Sequence, residues 1–127
     1  MPYEVIMEGD DTAFLRCWGT MTNQHAYDFL SEIYHGQDFI NAKFFIRDYL
    51  EVTEVVTDED LPTYAAMFES VALKNLNKKM VLAIVAQGVI LPALDDYIEI
   101  LLEASPESII KSFSEMSDAR QWVDAQR

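Results

Sequence analysis

Basic residues are scarce in this chain. Nine Lys and Arg stand against 22 Asp and Glu, a formal net charge of −13. Binding to phosphates draws on a concentrated basic footprint. Here the basic residues are scattered and Lys78-Lys79 is the only adjacent pair. That argues against DNA, RNA or an anionic membrane surface as a partner. The acidity reads first as solubility, and more sharply as recognition of a basic partner. Cysteine is nearly absent: Cys17 stands alone and cannot form an internal disulfide. Long apolar runs are missing too. The longest, residues 80–94, is interrupted by Gln87, Gly88 and Pro92, and a membrane helix needs roughly 18 residues. The start, Met1-Pro2-Tyr3-Glu4, lacks the basic and apolar regions of a signal peptide. These absences together lead to the expectation of a soluble cytoplasmic protein with no membrane insertion. With only four Gly and four Pro, linkers should be short.

What is present suffices for a core. At 127 residues, 50% apolar and 12% aromatic, the chain is expected to form one domain spanning 1–127. Tyr3, Val5 and Met7 alternate with Glu4, Ile6 and Glu8, a strand period. A turn at Gly9-Asp10-Asp11 and a strand over 13–18 complete an antiparallel hairpin, ended by residues 19–22. Thr22 or Asn23 can cap a helix in which Ala26, Phe29, Leu30 and Ile33 recur, with Gly36 suited to the left-handed position past its end. Residues 43–50 fit a buried strand. Thr57 and Asp60 form a capping-box-like start. Leu61, Tyr64, Ala65, Phe68, Val71, Ala72 and Leu76 then trace a helical face. Residues 80–86 are nearly all apolar, as for a central strand covered on both faces. Leu91, Leu94, Tyr97, Ile98, Leu101 and Leu102 mark a third helix, with Pro92 tolerable in its first turn. A short strand near Ile109 ends in Phe113. A last helix from about Glu115 carries Ala119, Trp122 and Val123.

Strands separated by single helices favour parallel pairing with right-handed crossovers. The expectation is therefore an α/β fold: a mixed, mostly parallel sheet with an N-terminal antiparallel hairpin and four helices.

The order of elements, the apolar strand 80–86 and the ending Phe113-x5-Ala119-x2-Trp122-Val123 resemble the STAS-like group. These are small domains related to bacterial anti-sigma-factor antagonists, also called SpoIIAA-like. The resemblance spans nearly the whole chain as a pattern. It implies a domain with no reaction of its own that binds partner proteins; some relatives of the fold hold nucleotides or lipids. The group's most specific motif is an Asp-Ser-Ser-Gly-like turn whose serine is phosphorylated before the second helix. Here that stretch reads Val55-Val56-Thr57-Asp58-Glu59-Asp60-Leu61. Thr57 falls near the serine position, but the serine pair and the glycine are absent. Asp58, Glu59 and Asp60 already occupy the positive end of the helix, where a phosphate would add close to two more negative charges. Thr57 therefore reads first as a plain cap.

Little else suggests chemistry. His25 and His35 lie near opposite ends of one predicted helix and cannot converge on a metal. Cys17, with no nearby His, reads as a packed thiol. There is no Gly-rich phosphate loop and no nucleophile elbow. Asp48, Glu51, Glu54, Asp58, Glu59 and Asp60 are expected to crowd the loop after the third strand. They lack an EF-hand's glycine and closing glutamate and read as a solvated acidic surface. Asp95, Asp96, Glu99 and Glu103 read as the wet face of the third helix.

The loop Gln87-Gly88-Val89-Ile90-Leu91-Pro92 follows the most apolar strand. In open parallel sheets, ligands gather beyond the C-terminal strand ends, and Gly88 permits close backbone approach. Thr57, Gln87, Gly88, Val89, Ile90 and Leu91 are thus the candidate partner- or ligand-contacting residues. Residues 87–92 read first as packing the helix onto the sheet, and more sharply as an apolar contact for a small ligand or a second subunit. The expected function is a non-enzymatic cytoplasmic protein-binding or regulatory module, with no cofactor and no metal. Its partner would be a protein, which includes a second copy of the chain forming a homodimer through the exposed part of Val89, Ile90 and Leu91. The alternative is a carrier of a small apolar or amphipathic, lipid-like ligand at the C-terminal strand ends. An enzyme ranks third, because two carboxylates buried together could perform acid–base work.

Overall fold

The computed structural model describes residues 3–36, 41–56, 66–72 and 79–127. Strand β1 (Tyr3–Glu8) and strand β2 (Thr12–Thr22) form the expected antiparallel hairpin, followed by helix α1 (Asn23–His35) and strand β3 (Phe44–Val56). Helix α2 is described over residues 66–72. Strand β4 (Val81–Val85), a 3-10 turn (Gly88–Ile90), helix α3 (Leu91–Ala104), strand β5 (Ile109–Phe113) and helix α4 (Met116–Ala125) complete the order. The five strands pair in chain order, β1-β2-β3-β4-β5, and all pairs after the first are parallel.

Crossovers of one hand between consecutive parallel strands place their helices on one face of the sheet. That face carries the larger core. Ala26, Phe29, Leu30 and Ile33 of α1, Ala66 of α2, and Leu94, Tyr97 and Leu101 of α3 pack on Leu15, Cys17, Phe45, Leu82 and Ile84. The opposite face holds a smaller core, in which Ala119 and Val123 of α4 meet Phe14, Phe44, Ile46, Ala83 and Val85. Strand β4 is buried on both sides, as its unbroken apolar run requires. Its place in the sheet is next to the edge strand, and β3 is central.

Three local expectations are corrected. Gly19 does not end β2. It sits within the strand at φ 72°, where the register with β3 shifts twice, between Arg16 and Trp18 and between Gly19 and Thr20. Bulges absorb such mismatches, and β3 uses 13 residues where β2 uses 11. Gly36 is extended, at φ −72° and ψ 135°, not left-handed; its N–H still closes α1 by donating to the Glu32 carbonyl. Finally, the described part of α2 buries Ala66, Glu69 and Ser70, while Val71 is exposed and Phe68 half-buried. The apolar residues misplace the face because a charged residue lies at its centre.

Of the two expected cap candidates, Thr22 caps helix α1. The Thr22 hydroxyl accepts from the His25 N–H at 3.3 Å, and His25 Nδ1 accepts from the Thr22 N–H at 3.2 Å. His25 thus closes a capping box from the position usually held by Glu or Gln. Helix α4 is held by packing and by arginines. Arg120 forks onto Glu8 at 2.9 and 3.0 Å, and Arg127 reaches Asp11 at 2.6 Å. Their guanidinium groups lie over the Phe14 and Phe44 rings, 5.3 and 4.5 Å from the centroids, a favourable placement for a cation.

Candidate functional site

The C-terminal ends of β2 and β3 extend past their neighbours. The β3–β4 ladder stops at Asp48 paired with Val85, and the β1–β2 ladder at Cys17 paired with Tyr3. Beyond these points residues 18–22 and 49–56 pair only with each other among the described residues. They form a two-stranded ribbon. Its inner side, Met21, Tyr49, Val52 and Val55, continues the larger core. Glu51, Thr53 and Glu54 are exposed. Asp48, Glu51 and Glu54, expected in a loop, are therefore strand residues. Arg16 bonds Glu51 at 2.5 Å and lies 3.6 Å from Glu4, over the Trp18 ring.

The 87–91 loop adjoins this ribbon, since the 3-10 turn packs against β3. Gln87 is exposed and its Nε2 donates to the Ser114 carbonyl at 2.8 Å, which ties the loop to the β5–α4 connection. Gly88 is exposed at φ 69°, a left-handed conformation that suits glycine. Leu91 is 39% exposed. Ile90 is 4% exposed and belongs to the larger core. It does not offer an apolar contact to a partner, and the homodimer surface expected at Val89, Ile90 and Leu91 loses its middle residue. Thr57 and the side chain of Val89 lie outside the described residues. The ligand site expected beyond the C-terminal strand ends also has no topological basis. A crevice opens where strand order reverses and helices leave on both faces, and here the strands run consecutively.

A polar cluster outside the residues singled out in the sequence lies under the helices. Arg47 of β3 is 1% exposed and Glu69 of α2 is 0% exposed. Arg47 Nη2 donates to Glu69 Oε1, and Nη1 donates to Glu69 Oε2 at 3.2 Å and to the Tyr97 hydroxyl at 2.9 Å. The Tyr34 hydroxyl donates to Glu69 Oε1. One cluster thereby joins the sheet to α1, α2 and α3. Burial opposes the Arg47 charge most strongly, but Glu69, Tyr34 and Tyr49 together offset it and the guanidinium is held above its ordinary pKa. Burial, then Glu69, pushes the Tyr34 hydroxyl well up. Among the described residues Arg47 Nε has no hydrogen-bond partner. Alternation in β3 puts Arg47 between Phe45 and Tyr49 on the inner face, a signal the sequence did contain. Cys17 is buried on the same face, and burial pushes its thiol up to about 12. It is a packed thiol.

His25 and His35 occupy opposite ends of α1. Among the described residues, no group of three His, Cys, Asp or Glu side chains is placed to hold a metal. Nor is any helix there long and apolar enough to cross a membrane.

Two solved structures share this architecture nearly end to end. The anti-sigma factor antagonist SpoIIAA in its unphosphorylated form is 7% identical, with a TM-score of 0.60 over 96% of this chain and 97% of its own. The Bacillus cell fate determinant SpoIIAA in its phosphorylated form is 10% identical, with a TM-score of 0.59 over 98% and 99%. The fold is SpoIIAA-like. A third SpoIIAA-like structure is an uncharacterised protein of the DUF3478 family from Shewanella loihica PV-4. It is 17% identical, with a TM-score of 0.55 over 95% of this chain and 91% of its own. No family model and no curated protein matches the chain. The SpoIIAA-like, STAS-like architecture expected from the element order is thus the one present.

Proposed function

We propose that this chain is a non-enzymatic, cytoplasmic protein-binding module of the regulatory kind. The observation that carries the proposal is the end-to-end correspondence with an anti-sigma factor antagonist, 96% of one chain on 97% of the other. The binding surface proposed is the C-terminal end of the parallel strands: Glu51 and Glu54 of the ribbon, with Gln87, Gly88 and Leu91 beside it. Its exposed carboxylates, on a chain of net charge −13, suit a partner with a basic face. The buried cluster of Arg47, Glu69, Tyr34 and Tyr97 supports the same reading, because its groups bond one another and are closed to solvent. A phosphorylation switch is not carried over, since the Thr57 stretch lacks the serine pair. The carrier reading gains nothing from Ile90, which fills the core.

The test is affinity capture with the purified chain, followed by calorimetric titration of each captured protein. Saturable binding that Glu54→Lys and Leu91→Asp weaken, with unchanged circular dichroism, is expected. A chain that binds no protein saturably and turns over a compound in a broad substrate screen overturns the proposal.

A further inference from the structure

The sheet has two edges of different character. Strand β1 carries Glu4 and Glu8, both already engaged by arginines. Strand β5 closes the other edge, and among the described residues nothing pairs on its outer side. Residues 108–114 contain Lys111 and no carboxylate, in a chain with 22 of them. Ile109 is 47% exposed. The Lys111 ammonium lies 5.4 Å from the Phe113 ring centroid, folded along the strand. Native edges are usually blunted by charge, proline or a cover, and this one is lightly defended.

The main chain shows which groups face outward. The Ile109 N–H donates to the Met80 carbonyl at 2.8 Å, and the Phe113 carbonyl accepts from the Ala86 N–H at 3.0 Å. Ile109 and Phe113 therefore turn their backbone groups toward β4, as does Lys111 between them. Alternation directs the N–H and C=O of Ile110 and Ser112 outward. A second β5 running antiparallel can meet them around a two-fold axis at Ile110. The two copies of Ile110 then exchange both hydrogen bonds, and Ile109 of each faces Lys111 of the other. Lys111 never faces its own copy in this register. A closed two-fold pairing is self-complementary.

We infer that β5 is a self-association edge, where two copies of this chain join their sheets antiparallel about Ile110. The inference deepens the protein-binding reading by naming one partner, yet it can fail without it. The exposed carboxylates of α3, the helix packed on β5, repel across such a pair. The dimer should therefore tighten with salt, which shortens the repulsion to about 8 Å at physiological ionic strength.

Light scattering and sedimentation of the full chain, over a range of concentration and salt, provide the test. A monomer–dimer equilibrium strengthened by salt is expected. Ser112→Pro removes an outward N–H and no ladder bond, so it should raise the dimer Kd about tenfold or more with unchanged circular dichroism. Two exposed-site variants give opposite signs. Ile109→Lys sets like charges opposite each other and should dissociate the dimer. Ile109→Glu faces Lys111 of the second copy and should tighten it, although it adds to the net charge. A wild-type chain monomeric throughout, masses that grow beyond dimer as in β5-to-β1 chaining, or equal weakening by both Ile109 variants would each overturn the inference. Partner capture by monomeric Ser112→Pro tests the protein-binding reading separately.

Discussion

Glu69 is the one charged residue in the described part of α2, and it faces inward while Met67 and Val71 face water. Such a helix costs little only while Arg47 is opposite. Removing one partner of a buried pair leaves an uncompensated charge and costs about 3–5 kcal/mol, whereas replacing both by apolar groups is often neutral. Glu69→Leu should therefore lower stability by about 3–5 kcal/mol, and Arg47→Met combined with it should recover most of that loss. Urea unfolding of the single and double variants measures the coupling. Trp122 tells the opposite story. It is half-buried against Phe113, ring centroids 5.6 Å apart, while Ala119 and Val123 insert into the sheet. Trp122→Ala should cost about 1–2 kcal/mol, below the roughly 3–5 of a fully buried ring. The same unfolding measurement, with α4 retained by circular dichroism, checks it.

Among the elements, the β2–α1 junction is the most exacting. Two register shifts bring β2 and β3 out of step, and Gly19 at φ 72° lies at one of them. The strand then passes directly into the Thr22 cap with no loop between. Thr22→Ala removes the hydroxyl that accepts from His25 and should destabilise the protein by about 1 kcal/mol, while Thr22→Ser should be close to neutral. Thermal melts of the two variants separate the cap bond from the loss of a methyl group. The element order was readable from periodicity, because each helix and strand repeats its apolar positions locally. Bulges were not, because they record a mismatch between strands distant in sequence.

At the scale of the whole molecule, three acids buried on one face define the alkaline limit. Burial raises the pKa of Cys17 to about 12, and it also raises those of Tyr34 and Tyr49. Each is neutral when protonated and holds its proton more tightly folded than unfolded. Their contribution is complete below the unfolded values, roughly 8.5 for Cys and 10 for Tyr. It is lost as pH rises through the folded ones. The urea midpoint should be level near neutrality and fall from about pH 9 upward. Cys17→Ala should delay the onset of that fall.

What the sequence by itself determined is whatever depends on neighbours along the chain. The hairpin turn, the Thr22 cap, the apolar β4 and the helical spacing of Leu94, Tyr97 and Leu101 all follow from residues a few positions apart. Their order limits the sheet to a few topologies, and the consecutive one is present. The tertiary structure alone decided which groups meet across long separations. Arg47 and Glu69 meet 22 positions apart, and a charge reveals its burial fully only when its counter-charge is placed. Ile90 looked like a loop residue until the turn folded it into the core. The open edge of β5 exists only because strand order leaves nothing beyond it among the described residues. Each is a consequence of packing, which local periodicity does not encode.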